Sequence, residues 1–244
     1  MPDRRLNRSA VGLVVLGAAV GCSSYPASDR ALDAMKSDDA VVVEQVGDLT
    51  AFLPVSAETD RAVVFYPGAK VEPEAYAPLL HLLAAEGVSS VLVSMPSDLA
   101  VLAPNKGDRA IEEFQELGPW YAAGHSLGGA MAASWFSKNG DTMKGLALLA
   151  AYPASSVDLS SIEHPVVSIT ASEDEVLDLQ TWRERKANLP DTTRYVEIDG
   201  GNHAGFGSYG PQDGDGRATI CQEEQWAQTV AAMIDMIVGP EDAD

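Results

Sequence analysis

Residues 120–138 read WYAAGHSLGGAMAASWFSK. Trp120–Ala123 is a short apolar run suited to a buried strand, and Leu127–Lys138 has the length and composition of a helix. Between them stands Gly124-His125-Ser126-Leu127-Gly128, a G-x-S-x-G pattern. Alone the pattern is weak, because Gly and Ser are common, and a Gly-Ser turn without chemistry is the competing reading. A strand before it and a helix behind it give it physical meaning. The glycines flank Ser126 because the turn is too tight for side chains there, and the turn holds the serine in a strained backbone conformation above the sheet edge. The helix that opens at Leu127 aims unbonded N–H groups and its positive end at the same spot, while Gly129 and Ala130 let it pack close to the strand. Ser126 is therefore the candidate nucleophile.

Working outward, strands and helices alternate. Val41–Val46 and Thr50–Pro54 read as a hairpin joined at Gly47-Asp48. Ala62–Tyr66, Val88–Ser94, Gly145–Ala151, Val166–Thr170 and Thr193–Ile198 read as further strands. Glu74–Glu86, Asp108–Leu117 with Asp108 as its cap, Leu177–Leu189 and Ile220–Val238 read as helices. The later strands, LALLAA and PVVSIT, are apolar without a break, as parallel strands covered on both faces must be. The expectation is one α/β domain over residues 41–244, with a mostly parallel eight-stranded sheet flanked by helices.

A serine hydroxyl is a weak nucleophile at neutral pH and needs a base. Of the four histidines, only His203 comes late in the chain and just after a strand, where α/β sites form. His81, His125 and His164 read as packing or surface residues. The base needs an acid to fix its tautomer. Between Ser126 and His203, the loop after PVVSIT offers Glu173, Asp174, Glu175 and, further on, Asp178. Asp174 is chosen from its loop position, because Asp178 should already lie within the next helix. An oxyanion hole requires two donors. Leu127 N–H should be one, and the second should come from Tyr66-Pro67-Gly68-Ala69. Pro67 has no N–H, and of Gly68 and Ala69, Ala69 is preferred.

Three stretches, YPGAKVEPEAYAPL (66–79), GHSLGGAMAA (124–133) and GGNHAGFGSYGPQDGDG (200–216), resemble those of the α/β-hydrolases, in particular a bacterial branch related to dienelactone hydrolases. The likeness covers roughly residues 41–238. It implies the eight-stranded hydrolase fold and a triad of Ser126, Asp174 and His203, and it delivers no substrate; the triad chemistry itself leads to the expectation of esterase-like cleavage of a small-molecule acyl substrate without a cofactor. Thioesterase, lactonase, peptidase and acyltransferase chemistry would use the same residues. The alternative from another class is a catalytically silent envelope lipoprotein that keeps the fold as a binding module.

The N-terminus reads as an export signal. Arg4, Arg5 and Arg8 precede an apolar or glycine run from Ala10 to Val20, and small residues lead to Cys22. Ala19-Val20-Gly21-Cys22 resembles a bacterial lipoprotein signal, departing from it at Ala19, where leucine is usual. An ordinary cleaved signal with a coincidental cysteine is the other reading. The expectation is a signal peptide over 1–21, then an aperiodic tether over 22–40 with Cys22 lipidated, and an exported monomer that meets the membrane only through that lipid. Cys221, the only other cysteine, reads as a structural thiol at a helix start. The net charge of −20 becomes −22 without residues 1–21, which carry three arginines and one aspartate. That sign argues against nucleic acid and anionic lipid as partners. Asp213-Gly214-Asp215-Gly216 fails as a calcium loop because Arg217 and Ala218 fall where a ligand and a glycine are needed, and no zinc spacing occurs. Finally, residues 152–164 separate two strands by only 13 residues, too few for a cap domain. An open site, weakly selective for chain length and without an interfacial lid, is expected.

Overall fold

The computed structural model describes residues 24–55 and 61–239. The signal segment and Cys22 lie outside the described residues. Eight strands form one sheet: β1 (Val41–Val46), β2 (Leu49–Pro54), β3 (Ala62–Tyr66), β4 (Ser89–Val93), β5 (Trp120–His125), β6 (Met143–Leu149), β7 (Val166–Ala171) and β8 (Arg194–Ile198). Their spatial order is β1-β2-β4-β3-β5-β6-β7-β8. The hairpin β1-β2 is antiparallel and β2 runs antiparallel to β4, while every later pairing is parallel.

Among the described residues six α-helices accompany the sheet: α1 (Asp29–Asp33), α2 (Ala77–Ala85), α3 (Lys106–Glu113), α4 (Leu127–Asn139), α5 (Leu179–Arg185) and α6 (Gln222–Val238). Successive strand residues point to opposite faces, and β3 shows the result. Val63 and Phe65 pack in one layer with Leu79, Leu80 and Leu83 of α2 and Met233 of α6. Ala62, Val64 and Tyr66 pack in the other with Trp135 and Phe136 of α4 and Ala110 of α3. All five β3 side chains are buried, which is why the strand reads as unbroken apolar sequence rather than alternation. Burying each large side chain contributes about 1.5–3 kcal/mol. The chain passes from β3 to β4 on one side and resumes with β5 on the other, so the carboxyl ends of β3 and β5 flank the point where strand order reverses. Ligand crevices in such sheets form there.

Two expectations are corrected. Asp108 does not cap α3. The helix begins at Lys106, and the Asp108 carboxylate instead accepts the Trp135 indole N–H at 2.7 Å, a tertiary bond invisible to local sequence. Residues 24–38 are also not a loose tether. Tyr25 N–H donates to Lys70 O (2.6 Å) and Tyr25 O accepts from Glu72 N–H (3.0 Å), a parallel bridge beside the loop after β3. Ser28 caps α1 and its N–H donates to Ser208 O at 2.8 Å. Apart from the single short helix α1, what places the segment is its bonds to distant loops, which leave no period in the sequence.

Candidate active site

Ser126 has φ 54° and ψ −126°, a region that L-residues adopt only when their surroundings force it. Two backbone bonds hold it there: its N–H donates to Leu149 O on β6 (2.9 Å) and its carbonyl accepts from Ala130 N–H (3.2 Å), opening α4. The close fit at Gly128 explains the second glycine of the motif. A Cβ there would lie 2.2 Å from Pro67 O and 2.3 Å from Tyr66 O, so α4 enters the site directly against the loop after β3. Ser126 is half-buried, and its hydroxyl has no partner among the described residues.

Asp174 follows β7 and His203 follows β8. Asp174 Oδ2 lies 2.8 Å from His203 Nδ1, with the two residues 5% and 1% exposed. The other Asp174 oxygen accepts the N–H groups of Val176 and Leu177, both at 2.8 Å. A carboxylate so saturated is fixed in orientation, and it fixes the imidazole in turn with its proton on Nδ1. His203 Nε2 is buried and unbonded. It is therefore the free acceptor of the ring, and no hydrogen bond joins it to Ser126 in this structure. The ring of His125, the neighbour of Ser126, lies 4.5 Å from the His203 ring, so the histidine loop packs against the end of β5 next to the turn that carries Ser126.

Glu173 and Glu175 are more open to solvent than Asp174. Asp178 is exposed and caps α5, accepting from Gln180 N–H and Thr181 N–H. The sequence reading placed it inside the helix. The two aspartates should separate cleanly in experiment. Asp178→Ala is expected to lower the melting temperature by a few degrees, the effect of losing a helix cap, and to leave kcat/KM within about twofold.

Among the backbone donors, Gly68 N–H is already given to Tyr76 Oη at 3.0 Å. The N–H groups of Ala69 and Leu127 have no partner among the described residues and stand at the ends of β3 and β5.

Several supporting residues escaped sequence reasoning. Asp215 accepts from His203 N–H (3.2 Å), Ala204 N–H (2.8 Å) and Gly216 N–H (2.9 Å), so the DGDG run is a clasp on the histidine loop. Gln225 of α6, 1% exposed, accepts from Asn202 N–H (3.1 Å) and donates to Asn202 O (2.8 Å). His125 is not mere packing: it is buried and bonded to Tyr76 at 2.8 Å. Burial, and then the neighbouring His203, hold its pKa well below the ordinary imidazole range. His81 and His164 do behave as packing residues, edge-on to Phe52 and Phe136. Cys221 is the N-cap of α6 and is exposed rather than structural. Among the described residues no group of three or more His, Cys, Asp or Glu is arranged to hold a metal ion. Two clefts of about 600 and 320 Å³ lie along α2 and α6, and neither is lined by Ser126, Asp174 or His203.

The fold and this placement of residues define a hydrolase of the α/β class. Residues 62–227 match the model of the alpha/beta hydrolase family, and the chain belongs to that family. Among curated protein sequences none matches it. Solved structures of the same fold include a CIB-like hydrolase from Thermoplasma acidophilum, with TM-score 0.56 and 16% identity over 80% of this chain and 98% of that one. They also include Est1E from Butyrivibrio proteoclasticus with ferulic acid bound, with TM-score 0.58 and 13% identity over 83% of this chain and 98% of that one.

Proposed function

We propose that the chain hydrolyses carboxylic esters through an acyl-enzyme on Ser126, with His203 as general base and acid and Asp174 as its orienting partner. The observation that carries this reading is the buried Asp174–His203 pair at 2.8 Å beside a serine strained at φ 54°. In the first step Ser126 Oγ attacks the acyl carbon and its proton passes to His203 Nε2. Asp174 stabilises the resulting imidazolium through Nδ1–H. The carbonyl oxygen becomes an oxyanion and accepts from Ala69 N–H and Leu127 N–H, with the positive end of α4 adding to the field. Collapse expels the alcohol, which takes the proton from Nε2. Water then repeats the sequence on the acyl-enzyme and releases the acid.

Triad geometry supports acyl transfer, and the ferulate-bound neighbour shares only the fold with this chain. An oxygen ester needs both the attack by Ser126 and the proton that His203 returns to the departing alcohol, the two tasks this pair would perform. A fluorophosphonate probe should attach to the peptide containing Ser126 and to no other. Failure of every serine-directed probe would favour the silent binding module instead. With only residues 150–165 between β6 and β7, the site should act on soluble and emulsified esters alike, without interfacial activation.

We also propose that residues 1–21 direct export and that Cys22 carries a lipid. Cys22→Ser should move the protein from the membrane to the soluble fraction; continued membrane association would end the anchor reading.

A further inference from the structure

The stretch YPGAKVEPEAYAPL contains a tyrosine that the chemistry above does not use. Tyr76 is fully buried, and its hydroxyl occupies a junction. It accepts the Gly68 N–H at 3.0 Å and lies 2.8 Å from His125 Nδ1. Gly68 N–H fills an acceptor position of the phenol, and the only partner left for the phenol's own proton is His125 Nδ1, which assigns the imidazole proton to Nε2, a buried atom with no hydrogen-bond partner among the described residues. The far side of that imidazole faces the histidine loop: its ring lies 4.5 Å from His203 and 5.4 Å from Phe206. A continuous line of contacts thus runs from the loop after β3, through Tyr76 and His125, to the catalytic base.

The surrounding backbone is built to this line. A Cβ on Gly68 would lie 2.7 Å from Tyr76 Oη and 3.0 Å from His125 Nδ1, so the glycine is required because the hydrogen-bonded pair occupies that space. With Gly68 N–H committed to Tyr76, Ala69 N–H is left as the free donor at the end of β3. Lys70, next along, sits at φ 58° and gives its N–H to Asp98 O at 2.8 Å. Ala69 is therefore pinned on both sides, by the Tyr76 hydroxyl before it and Asp98 after it.

We infer that Tyr76 and His125 are positioning residues that set the Ala69 N–H for the oxyanion and couple its loop to that of His203. Burial pushes the Tyr76 phenol up and the His125 imidazole down from their ordinary values. Both therefore stay neutral through the working range, as a fixed hydrogen-bond relay needs.

This inference rests on the proposed triad, and the test keeps the two apart. Turnover of an activated soluble ester is measured for the wild-type chain and for Tyr76→Phe, Ser126→Ala, His125→Asn and His125→Leu, with the melting temperature of each. The oxyanion exists only in the transition state, so a mis-set donor lowers kcat and leaves KM alone. Deleting such a donor outright costs about 10²–10³ in rate, and misplacing it should cost about 10–100-fold. Tyr76→Phe is expected to show that fall with KM within about twofold. His125→Asn, whose amide oxygen can accept from Tyr76 Oη, should recover part of the loss seen in His125→Leu. An unchanged kcat in Tyr76→Phe alongside an inactive Ser126→Ala would overturn the inference alone, as would a raised KM at constant kcat. If Tyr76→Phe fails to fold, the His125 pair decides: equal losses in Asn and Leu overturn the inference. Full turnover in Ser126→Ala would remove the triad reading and this inference with it.

Discussion

Ser126→Ala is expected to lower kcat on a small activated ester by about a millionfold, the loss seen when a serine nucleophile is removed from a unit that acts together. The same variant should fail to take up a fluorophosphonate. Its fold should survive. The strain at φ 54° is imposed by the bonds from Ser126 N–H to Leu149 O and from Ala130 N–H to Ser126 O, and these are main-chain bonds that alanine keeps. Residual turnover should remain above the uncatalysed rate, because Ala69 N–H, Leu127 N–H and the α4 terminus still bind the oxyanion when water is the nucleophile. A fall in kcat with an unaltered melting temperature is the result that assigns chemistry, rather than architecture, to this hydroxyl. Wild-type turnover in the variant would remove Ser126 from the mechanism.

The second large effect concerns Asp174. Asp174→Asn keeps the shape of the side chain, and its amide oxygen can still accept the N–H groups of Val176 and Leu177, so the loop should hold. The change falls on the proton of His203. Opposite Nδ1 the variant can present an NH₂ group, which donates and favours the tautomer with the proton on Nε2. That is the nitrogen that must accept from Ser126. Loss of about 10⁴ in kcat is expected, the cost of the wrong tautomer in a triad. Activity within tenfold of wild type would mean that another carboxylate orients His203, and the two glutamates of the same loop would then be the first to replace.

How far the sequence reached depends on the range of the interaction concerned. The strand–turn–helix placement of Ser126 was legible because the three elements are contiguous and each leaves a local mark. The placement of His203 after the last strand followed from chain order. Asp174 was selected over Glu173 and Glu175 by position alone. The physical reason for the choice, burial and two hydrogen bonds from the following turn, exists only once the loop is folded. The clasp of Asp215 spans 12 residues to His203, the Gln225 bonds span 23 to Asn202, and the Tyr76–His125 contact spans 49. No periodicity records such distances. Asp215 did leave a trace, a DGDG run that resembled a cation loop, but its carboxylate is taken up by backbone donors. Residues 24–38 misled for the converse reason. Polar, Pro-containing sequence with no period reads as loose chain, yet it is fastened by hydrogen bonds to loops near residues 70 and 208.

That docking gives the N-terminus a mechanical meaning. Tyr25 is bonded to Lys70 and Glu72, its ring stands 5.6 Å from Tyr209, and its hydroxyl accepts from Asp213 N–H at 3.3 Å. Ser24 is bonded to Asp98. The start of the described chain is thus tied to Asp98 after β4, to the loop that holds Ala69 and to the loop that holds His203. The parallel bridge to Val71 fixes Tyr25 along the loop after β3 by two main-chain hydrogen bonds, to Lys70 and Glu72. The strap and the two loops of the candidate site form one fitting, so a pull on the N-terminus would reach Ala69 and His203 before the core.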